Sequence, residues 1–485
     1  MVVSCLPIIA ICGTTGVGKS KLAVELALHV NHSCRNAGWR CAKVINADAM
    51  QVYQGLDILT NKVPETERQG IPHLLMGFKK PGEQYVVGEW VQDTINLIDD
   101  MHKNNELPIV VGGTSYWMQH LIFPNRLVAK ESSVSSSKNT IWSESLERCI
   151  ASLPPELVAL LYNLPDEAPS AKLHPDQAFR LHKLLSALDP TMSQRWHWKD
   201  TRKVLRSLEI LKECGRLPSS IIAEQAASNA QGSQPRFRTL CFWLYANPSS
   251  LTNRLDSRVD EMISHGLLDE VVNLRELAKS GSRTDSEERS STSDYTVGIY
   301  QSIGFREFCN YLDAPSEAAY KEAMERMKIS TRQYAKRQIS WIRNKLIPVI
   351  NAANIDETII PLYLLDATTL GNAWMENVQV PAAEIQDAFL EGHRLPDPRM
   401  LSENAFKLLS VSNKVVDPTS ILQSRKRRIC PACTVQSDRP VMIEEGSEWN
   451  THVKTRSHRR MAAKSLPQAD HHNNSECQSK EIYSS

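Results

Sequence analysis

The chain has 485 residues, of which 41% are hydrophobic and 23% charged, a composition typical of a globular protein with two or three domains. Its 56 lysines and arginines almost balance its 55 aspartates and glutamates, so a nucleic-acid surface can only be a local basic patch. No apolar run approaches the ~20 residues that span a bilayer, which argues against a membrane protein.

The N-terminus and the cysteines indicate the compartment. The first predicted strand begins almost at the N-terminus, so we expect neither a cleaved signal nor a transit peptide. The eleven cysteines lie mostly singly on apolar segments, as reduced core thiols do in intracellular proteins. We therefore expect an intracellular protein, in the cytoplasm and/or the mitochondrion, with the nucleus also possible.

The first predicted elements are a buried strand at residues 6–12, a glycine-rich loop and a helix at 21–29. The loop fits the pattern G-x-x-x-x-G-K-[ST] and consists of Gly13, Thr14, Thr15, Gly16, Val17, Gly18, Lys19 and Ser20. Its backbone N–H groups and the helix N-terminus would point at one spot, which predicts a polyphosphate site completed by Lys19 and Ser20. The loop alone does not say whether the phosphates belong to a nucleotide.

Two further buried strands are predicted at 44–46 and 108–111, with an amphipathic helix at 86–102 between them. Asp48 follows the first strand at the edge where α/β proteins bind ligands, but spacing alone would equally allow a helix N-cap. The second strand ends in Gly112-Gly113-Thr114, where a P-loop NTPase usually has an acidic residue that helps hold Mg²⁺. Although these glycines could form only a tight turn, the missing acidic residue counts against an ATP hydrolase.

The remaining chain is predicted to be organised around this α/β core. Helix-rich stretches are flanked by two predicted irregular segments, a Ser-rich loop at 132–140 and a flexible charged segment at 281–294. A helix is predicted at 316–345, and a strand-like run follows it at 347–350. The predicted segments are the first part of the core (1–123), a helical insertion (124–200), the rest of the core with further helices (201–350), a connecting region (351–424), a basic module (425–462) and a disordered tail (463–485).

The basic module contains a possible zinc-finger pattern. Cys430 and Cys433 are followed, after an 18-residue gap, by His452 and His458, and this C-x₂-C and H-x₅-H spacing predicts a Zn²⁺ site. The competing interpretation is two stray cysteines and two histidines of a His-containing tail. Basic residues at 425–428 and between 454 and 460 suit contact with RNA phosphates, or a nuclear import signal.

A second basic surface is predicted on the helix at 316–346. Four cations lie close to one stripe with Arg337 nearby, and Tyr334 and Trp341 are interleaved with them. The four cations are Lys328, Arg332, Lys336 and Arg343. A solvated helix face is the usual explanation of such a run, but the interleaved aromatic residues favour contact with phosphates.

In combination, these motifs resemble one family over most of residues 8–345, the tRNA dimethylallyltransferases, also called tRNA isopentenyltransferases. Besides the P-loop, the shared motifs are Asp48-Ala49-Met50-Gln51-Val52-Tyr53, Gly55-Leu56-Asp57-Ile58, Thr60-Asn61-Lys62, Pro72-His73-Leu74-Leu75, Gly112-Gly113-Thr114-Ser115-Tyr116, Asp200 to Glu209, Arg254 to Val259, Gly266-Leu267, Glu270-Val271 and Thr331 to Trp341. The resemblance implies that the loop holds dimethylallyl diphosphate rather than ATP. The prenyl group would move to N6 of the adenosine immediately 3′ of a tRNA anticodon. A C-terminal finger is typical of the eukaryotic members, which indicates a eukaryotic protein.

The resemblance also implies roles for individual residues. The implied catalytic residues are Asp48, Thr114, Lys19, Arg254 and Arg258. Asp48 would accept the proton of the attacking amine and Thr114 would orient that amine, while the cations and a Mg²⁺ ion held through Ser20 would stabilise the leaving diphosphate. The residues implied in tRNA binding are Asp48, Ala49, Met50, Gln51, Arg202, Lys203, Arg206, Gln301, Lys336 and Arg337. Without the resemblance, Arg254 and Arg258 would be interpreted as a solvated pair on one helix face.

The sequence thus predicts an α/β fold: a P-loop parallel-sheet core with a helical insertion domain that grips the anticodon arm and a small C-terminal zinc finger. We expect a monomeric transferase that acts on tRNA and uses dimethylallyl diphosphate, Mg²⁺ and a structural Zn²⁺. Two other functions remain open on the residues alone. One is a nucleotide kinase or NTPase, which the P-loop by itself favours. The other is a non-catalytic RNA-binding protein, for which Asp48→Ala would leave function untouched.

Overall fold

The computed structural model describes residues 6–32, 38–124, 142–230, 234–280, 298–355, 357–410 and 426–465. The chain divides into two compact units, one of Met1–Ser133 with Ile222–Ile421 and the other of Val134–Ile221 with Leu422–Ser485. The predicted Ser-rich loop and the predicted charged segment at 281–294 lie outside the described residues. Of the predicted tail at 463–485, residues 463–465 belong to the last helix, Arg456–Ser465, and the rest lies outside the described residues. Within the described ranges, no helix combines the length and hydrophobicity that crossing a bilayer requires.

A six-stranded parallel sheet forms the centre of the first unit. Its strands are β1 (Pro7–Gly13), β2 (Cys41–Asn46), β3 (His73–Leu74), β4 (Glu106–Val111), β5 (Arg238–Tyr245) and β6 (Leu362–Asp366). Their order in the sheet is β3-β2-β4-β1-β5-β6, and every neighbouring pair is parallel. Strands β1 and β4 are buried along their whole length, as expected where helices cover both faces of a parallel sheet. The predicted α/β core with a parallel sheet is confirmed.

Twenty α-helices lie among the described residues. In chain order they are α1 (Lys19–His32), α2 (Glu65–Arg68), α3 (Val87–Lys103), α4 (Ser115–Ile122), α5 (Glu144–Ala151), α6 (Pro155–Tyr162), α7 (Pro175–Leu188), α8 (Pro190–Ser193), α9 (Thr201–Cys214), α10 (Pro218–Ala230), α11 (Pro248–Ser264), α12 (Leu267–Ser280), α13 (Phe305–Asp313), α14 (Glu317–Trp341), α15 (Ile347–Ala353), α16 (Asn372–Trp374), α17 (Val380–Glu391), α18 (Glu403–Leu409), α19 (Ser447–Lys454) and α20 (Arg456–Ser465). Short 3₁₀ turns occur at Gly298–Gln301 and Pro398–Met400, and π-helical turns at Ile342–Leu346 and Met375–Gln379.

The structure corrects one prediction about the C-terminal part of the first unit and adds detail to another. The run at 347–350 is not a strand but the start of α15, with Pro348 in the first helical turn, where proline is tolerated. A buried run of four apolar residues has the same pattern in either element, so periodicity could not distinguish them. The predicted connecting region at 351–424 supplies β6, which pairs with β5 and completes the core sheet.

The second unit joins the helical insertion to the C-terminal module. Strands β7 (Arg427–Ile429) and β8 (Met442–Glu444) form an antiparallel pair, and β8 packs on the helices: Met442 is buried against Ala178 and Trp198. The indole N–H of Trp198 donates to the Pro440 carbonyl oxygen at 2.9 Å. Helix α9 belongs to this unit as well, so the insertion extends past the boundary predicted at residue 200.

Candidate active site and metal centre

The glycine-rich loop lies between β1 and α1, as predicted. Lys19 begins α1 and folds back, so that its Nζ donates to the Thr14 carbonyl oxygen at 2.6 Å. Burial lowers the pKa of Lys19 to about 8, against the opposing attraction of the Asp48 carboxylate, and the positive charge of Arg258 lowers it further. A cation that has lost most of its water and that lies at a helix N-terminus is prepared to bind an anion.

A hydrogen-bonded turn holds Asp48 at the carboxyl end of β2. Asn46 Oδ1 accepts from the Asp48 N–H at 3.0 Å, and Asn46 Nδ2 donates to the Asp48 carbonyl oxygen at 3.1 Å. Asp48 Oδ1 in turn accepts from the Met50 N–H at 3.0 Å, and no regular helix follows directly. The alternative of a helix N-cap is therefore wrong. Among the described residues Oδ2 receives no hydrogen bond, which leaves it for a ligand.

The glycines after β4 allow the turn that follows β4 to pack on the turn after β2 that contains Asp48. A Cβ at Gly112 would lie 2.1 Å from the Ala47 carbonyl oxygen, so only glycine fits there. Thr114 N–H donates to that same carbonyl at 3.2 Å, and Thr114 Oγ1 accepts from the Ala49 N–H at 3.1 Å. The Thr114 hydroxyl therefore contacts the turn that contains Asp48, and it can still donate its own proton.

The two arginines of α11 have different partners, although they are four residues apart. Arg258 Nη1 donates to Thr15 Oγ1 at 2.9 Å, and burial lowers the pKa of Arg258 to about 10 while the nearby Asp48 carboxylate opposes this. The guanidinium of Arg254 donates instead to the carbonyl oxygens of Ala367 and Thr368, which follow β6. Of the two predicted cations, Arg258 is the one that touches the phosphate loop.

Sequence reasoning assigned no role to Gln338, which connects the loop to the turn after β4. Gln338 Oε1 accepts from the Thr15 N–H at 2.9 Å, and Gln338 Nε2 donates to the Gly113 carbonyl oxygen at 3.0 Å. Tyr334, one helical turn earlier, is hydrogen-bonded to Gln338, and burial with the nearby Asp48 carboxylate raises the pKa of its phenol. One feature of the sequence could have indicated that Gln338 is buried. It lies at helical spacing from the apolar residues Ala323, Met327 and Ala335, which form the buried face of α14.

Trp374 is a second residue that sequence reasoning missed. It comes from the region after β6, and its ring lies 2.6 Å from the position that a Cβ on Gly18 would occupy. The Trp374 Nε1–H donates to Glu25 Oε2 at 3.0 Å, and the ammonium of Lys21 lies 4.6 Å from the ring centroid. Trp374 therefore fixes the end of the phosphate loop against the first turns of α1.

Removing the Trp374 side chain should destabilise the first unit. We expect Trp374→Ala to lower the free energy of unfolding by about 3–5 kcal/mol, because the indole is buried and leaves a large cavity. Trp374→Phe keeps most of the packing but loses the hydrogen bond to Glu25, so we expect a loss of only about 1–2 kcal/mol. Urea denaturation followed by circular dichroism measures both, and equal losses would contradict a packing role.

The predicted RNA-binding residues lie on both units. Arg202, Lys203 and Arg206 are on α9, where Arg206 pairs with Glu209 at 3.0 Å. On the first unit, Gln51 Nε2 donates to the carbonyl oxygens of Thr60 at 3.2 Å and Asn61 at 3.0 Å. The residues Gln301, Lys336 and Arg337 are exposed there.

The basic stripe on α14 is only partly available to a partner. Lys328 pairs with Asp260 at 2.7 Å and Arg332 pairs with Asp256 at 2.7 Å, and both aspartates lie on α11. These two cations therefore serve the packing of α14 on α11. Lys336 and Arg343 are exposed further along the stripe.

The four residues of the predicted zinc pattern come together at the C-terminal module. The potential ligand atoms of Cys430, Cys433, His452 and His458 all lie within 4.8 Å of one another. His458 Nδ1 lies 3.4 Å from each of the two sulfurs and 3.1 Å from His452 Nε2. A tetrahedral zinc ion with bonds of about 2.0–2.3 Å requires ligand separations of this size. Two thiolates and two imidazoles are a donor set that Zn²⁺ prefers, so these residues fit the ion.

Comparison with known proteins supports the resemblance seen in the motifs. The IPP transferase family matches residues 51–345, more than half of the chain. The tRNA dimethylallyltransferase of Schizosaccharomyces pombe is 35% identical, covering 93% of this chain and 94% of that protein. The tRNA dimethylallyltransferase of Saccharomyces cerevisiae is 32% identical, covering 96% of this chain and 94% of that protein. A crystal structure of a eukaryotic dimethylallyltransferase acting on tRNA aligns with a TM-score of 0.68 at 31% identity, covering 95% of this chain and 97% of that chain. The predicted family is confirmed, and this chain belongs to the IPP transferase family.

Proposed function

We propose that this protein transfers a dimethylallyl group from dimethylallyl diphosphate to N6 of the adenosine that follows a tRNA anticodon on its 3′ side, which gives N6-isopentenyladenosine. One observation supports this proposal above the others. The Asp48 carboxylate lies close enough to interact electrostatically with Lys19 of the phosphate loop and with Arg258 of α11, which donates to the loop residue Thr15. A proton acceptor and the cations for a leaving diphosphate are thus side by side, as a displacement reaction requires.

In the proposed mechanism the N6 amine attacks C1 of the prenyl group while the bond from C1 to the diphosphate oxygen breaks. The amine is a weak nucleophile because its lone pair is delocalised into the purine ring. Asp48 Oδ2 accepts the amine proton, and the turn that holds Oδ1 keeps the carboxylate oriented. Thr114 contacts the same turn through Ala49 and orients the amine. The adenosine must leave the anticodon-loop stack to reach these groups, as is general for chemistry on a base.

The leaving diphosphate takes the bonding electrons and is stabilised by the loop. Lys19 and the loop amides bind its oxygens, and Arg258 adds a second, partly buried positive charge beside Thr15. Arg254 does not contact the loop and acts indirectly, because it holds the segment after β6 in place. These groups are fixed before the reaction, so they stabilise the developing charge at little reorganisation cost.

The residues of the loop also fit a Mg²⁺ ion, with the diphosphate as its main ligand. Ser20 is in the first turn of α1 and offers a hydroxyl, while β4 is followed by glycines rather than by a carboxylate. Mg²⁺ is commonly held by substrate phosphates, water and few protein groups, so this sparse donor set suits it. When bound, the ion would neutralise charge on the diphosphate.

The tRNA would be held by residues of both units. On the first unit Ala49, Met50 and Gln51 adjoin the base acceptor Asp48, and Gln301, Lys336 and Arg337 are exposed. On the second unit, α9 offers Arg202, Lys203 and Arg206 and the zinc module adds further cations. The residues proposed for the chemistry all come from the first unit. We propose that the enzyme acts as a monomer.

The assay for this function uses purified protein, labelled dimethylallyl diphosphate and an anticodon stem-loop with consecutive adenosines. We expect label in the RNA and none in a stem-loop that has uridine in place of the target adenosine. Absence of label together with stoichiometric ATP consumption would overturn the proposal in favour of an NTPase.

Removing zinc should affect RNA binding more than the chemical step. Cys433→Ser, or chelation of the metal, removes a ligand on which the fold of the C-terminal module depends. We expect stem-loop affinity to fall about tenfold or more, because several phosphate contacts are lost together, while single-turnover transfer at saturating RNA changes little. Cys149→Ser on α5 is the matched control, an exposed cysteine of the same unit. Equal affinities of wild type and Cys433→Ser would remove the proposed role of the module.

A further inference from the structure

The carboxamide of Gln338 is hydrogen-bonded to a backbone N–H of the phosphate loop that could otherwise bind a ligand. Its Oε1 accepts the Thr15 N–H at 2.9 Å, and its Nε2 donates to the Gly113 carbonyl oxygen at 3.0 Å. The residue is only 4% exposed. A backbone N–H in a loop of this type is ordinarily available to a phosphate oxygen. Here one such group is bonded to a side-chain oxygen of the same chain.

The position of this carboxamide matters because of the strands on either side. Strands β1 and β4 are neighbours, with Ile11 beside Val111, so the phosphate loop and Gly113 follow adjacent strand ends. In P-loop NTPases the lysine reaches the β- and γ-phosphates, and an acidic residue after the neighbouring strand helps hold their Mg²⁺. The terminal phosphoryl group of a triphosphate therefore lies between these two strand ends. In this protein the carboxamide of Gln338 connects these two strand ends, through Thr15 and Gly113.

Thr15 is also engaged through its side chain. Arg258 Nη1 donates to Thr15 Oγ1 at 2.9 Å, so both the backbone N–H and the hydroxyl of Thr15 bind protein groups. A ligand therefore cannot use Thr15, which leaves the loop residues from Gly16 to Ser20 and the buried hydroxyl of Thr14, which has no hydrogen-bond partner among the described residues. In a P-loop the backbone N–H groups cradle the α- and β-phosphates, which are two phosphoryl groups.

We propose that Gln338 determines specificity by limiting the loop to a diphosphate, because its carboxamide stands where a third phosphoryl group would have to bind. This inference rests on the proposed function, in which the loop holds the diphosphate of the prenyl donor. It explains how a loop of nucleotide-binding type avoids occupation by nucleoside triphosphates. The carboxamide excludes the third phosphoryl group and at the same time keeps the loop connected to the turn beside Asp48.

The test compares the affinity of the full chain for pyrophosphate and for tripolyphosphate, each with Mg²⁺, by isothermal titration calorimetry. We expect wild type to prefer pyrophosphate by about tenfold or more. Gln338→Ala opens the space and should reduce this preference by about tenfold. Gln338→Met fills most of the same volume without hydrogen bonds and should retain the preference for pyrophosphate. The proposal is overturned if Gln338→Ala keeps the wild-type preference, or if Gln338→Met loses as much of it.

Controls separate this inference from the function on which it rests. Gln386→Ala removes another buried glutamine, on α17, and should leave the preference unchanged. If Lys19→Met binds pyrophosphate as well as wild type, the loop is not the diphosphate site and both proposals fail. If pyrophosphate binding depends on Lys19 but Gln338→Ala has no effect on preference, only the specificity role fails. Should Gln338→Ala not fold, Gln338→Asn is one methylene shorter and is judged by the same criterion.

Discussion

Asp48→Asn is expected to reduce prenyl transfer by about 10²–10⁴-fold, the usual contribution of a positioned general base. Asparagine has the same shape, and its Oδ1 can still accept the Met50 N–H that holds the turn. What it loses is the negative oxygen that takes the amine proton. Single-turnover transfer at saturating RNA and dimethylallyl diphosphate measures the effect on the chemical step alone. Stem-loop affinity should stay within about threefold of wild type, since phosphate contacts provide most of it.

Asp99→Asn on α3 provides the matched control for this substitution. Asp99 is exposed on a surface helix of the same unit, so its replacement changes net charge by the same amount away from the loop. We expect wild-type transfer from it. A transfer rate for Asp48→Asn within a few-fold of wild type would show that another group accepts the proton. A loss confined to RNA affinity would instead favour a binding role for Asp48.

The parts of this site that the sequence predicted are those set by local geometry. A loop of eight consecutive residues carries its own pattern of glycine, lysine and serine, and strand, loop and helix follow one another in the chain. Asp48 could be placed at the ligand-binding edge because it follows the carboxyl end of a predicted parallel strand, although spacing alone equally allowed a helix N-cap. The roles of Asp48 and Thr114 came from the family resemblance. The sequence placed two glycines after β4, and the structure shows that the first of them is needed because the carbonyl oxygen of Ala47 packs against it.

The parts that the sequence did not predict depend on contacts between distant residues. Gln338 is 323 positions from Thr15, and Trp374 is 349 positions from Glu25. Neither contact leaves a local pattern, because periodicity reports only which face of a helix is buried and not what it is buried against. For the same reason spacing placed Arg254 and Arg258 on one helix but could not say which of them reaches Thr15.

Diphosphate affinity is expected to fall as the pH rises through about 8, because burial lowers the pKa of Lys19 to about 8 in the free protein. Below that pH the ammonium is already charged and binds the anion directly. Above it the free protein must take up a proton before it can bind, so the Kd for pyrophosphate should rise by about tenfold per pH unit. A lysine with its ordinary pKa of about 10.5 would give no such change between pH 7 and 9.

Lys19→Met provides the reference for this pH profile, because titration of the pyrophosphate itself affects both proteins equally. We expect Lys19→Met to bind about 100-fold more weakly at pH 7, as when one member of a buried charge pair is removed. The ratio of the pyrophosphate affinities of wild type and Lys19→Met should decrease from pH 8 to pH 9. Lys21→Met, which removes an exposed lysine from the same helix, should follow wild type throughout. Parallel profiles of wild type and Lys19→Met would mean that Lys19 stays charged throughout this range, and the lowered pKa of Lys19 would then be wrong.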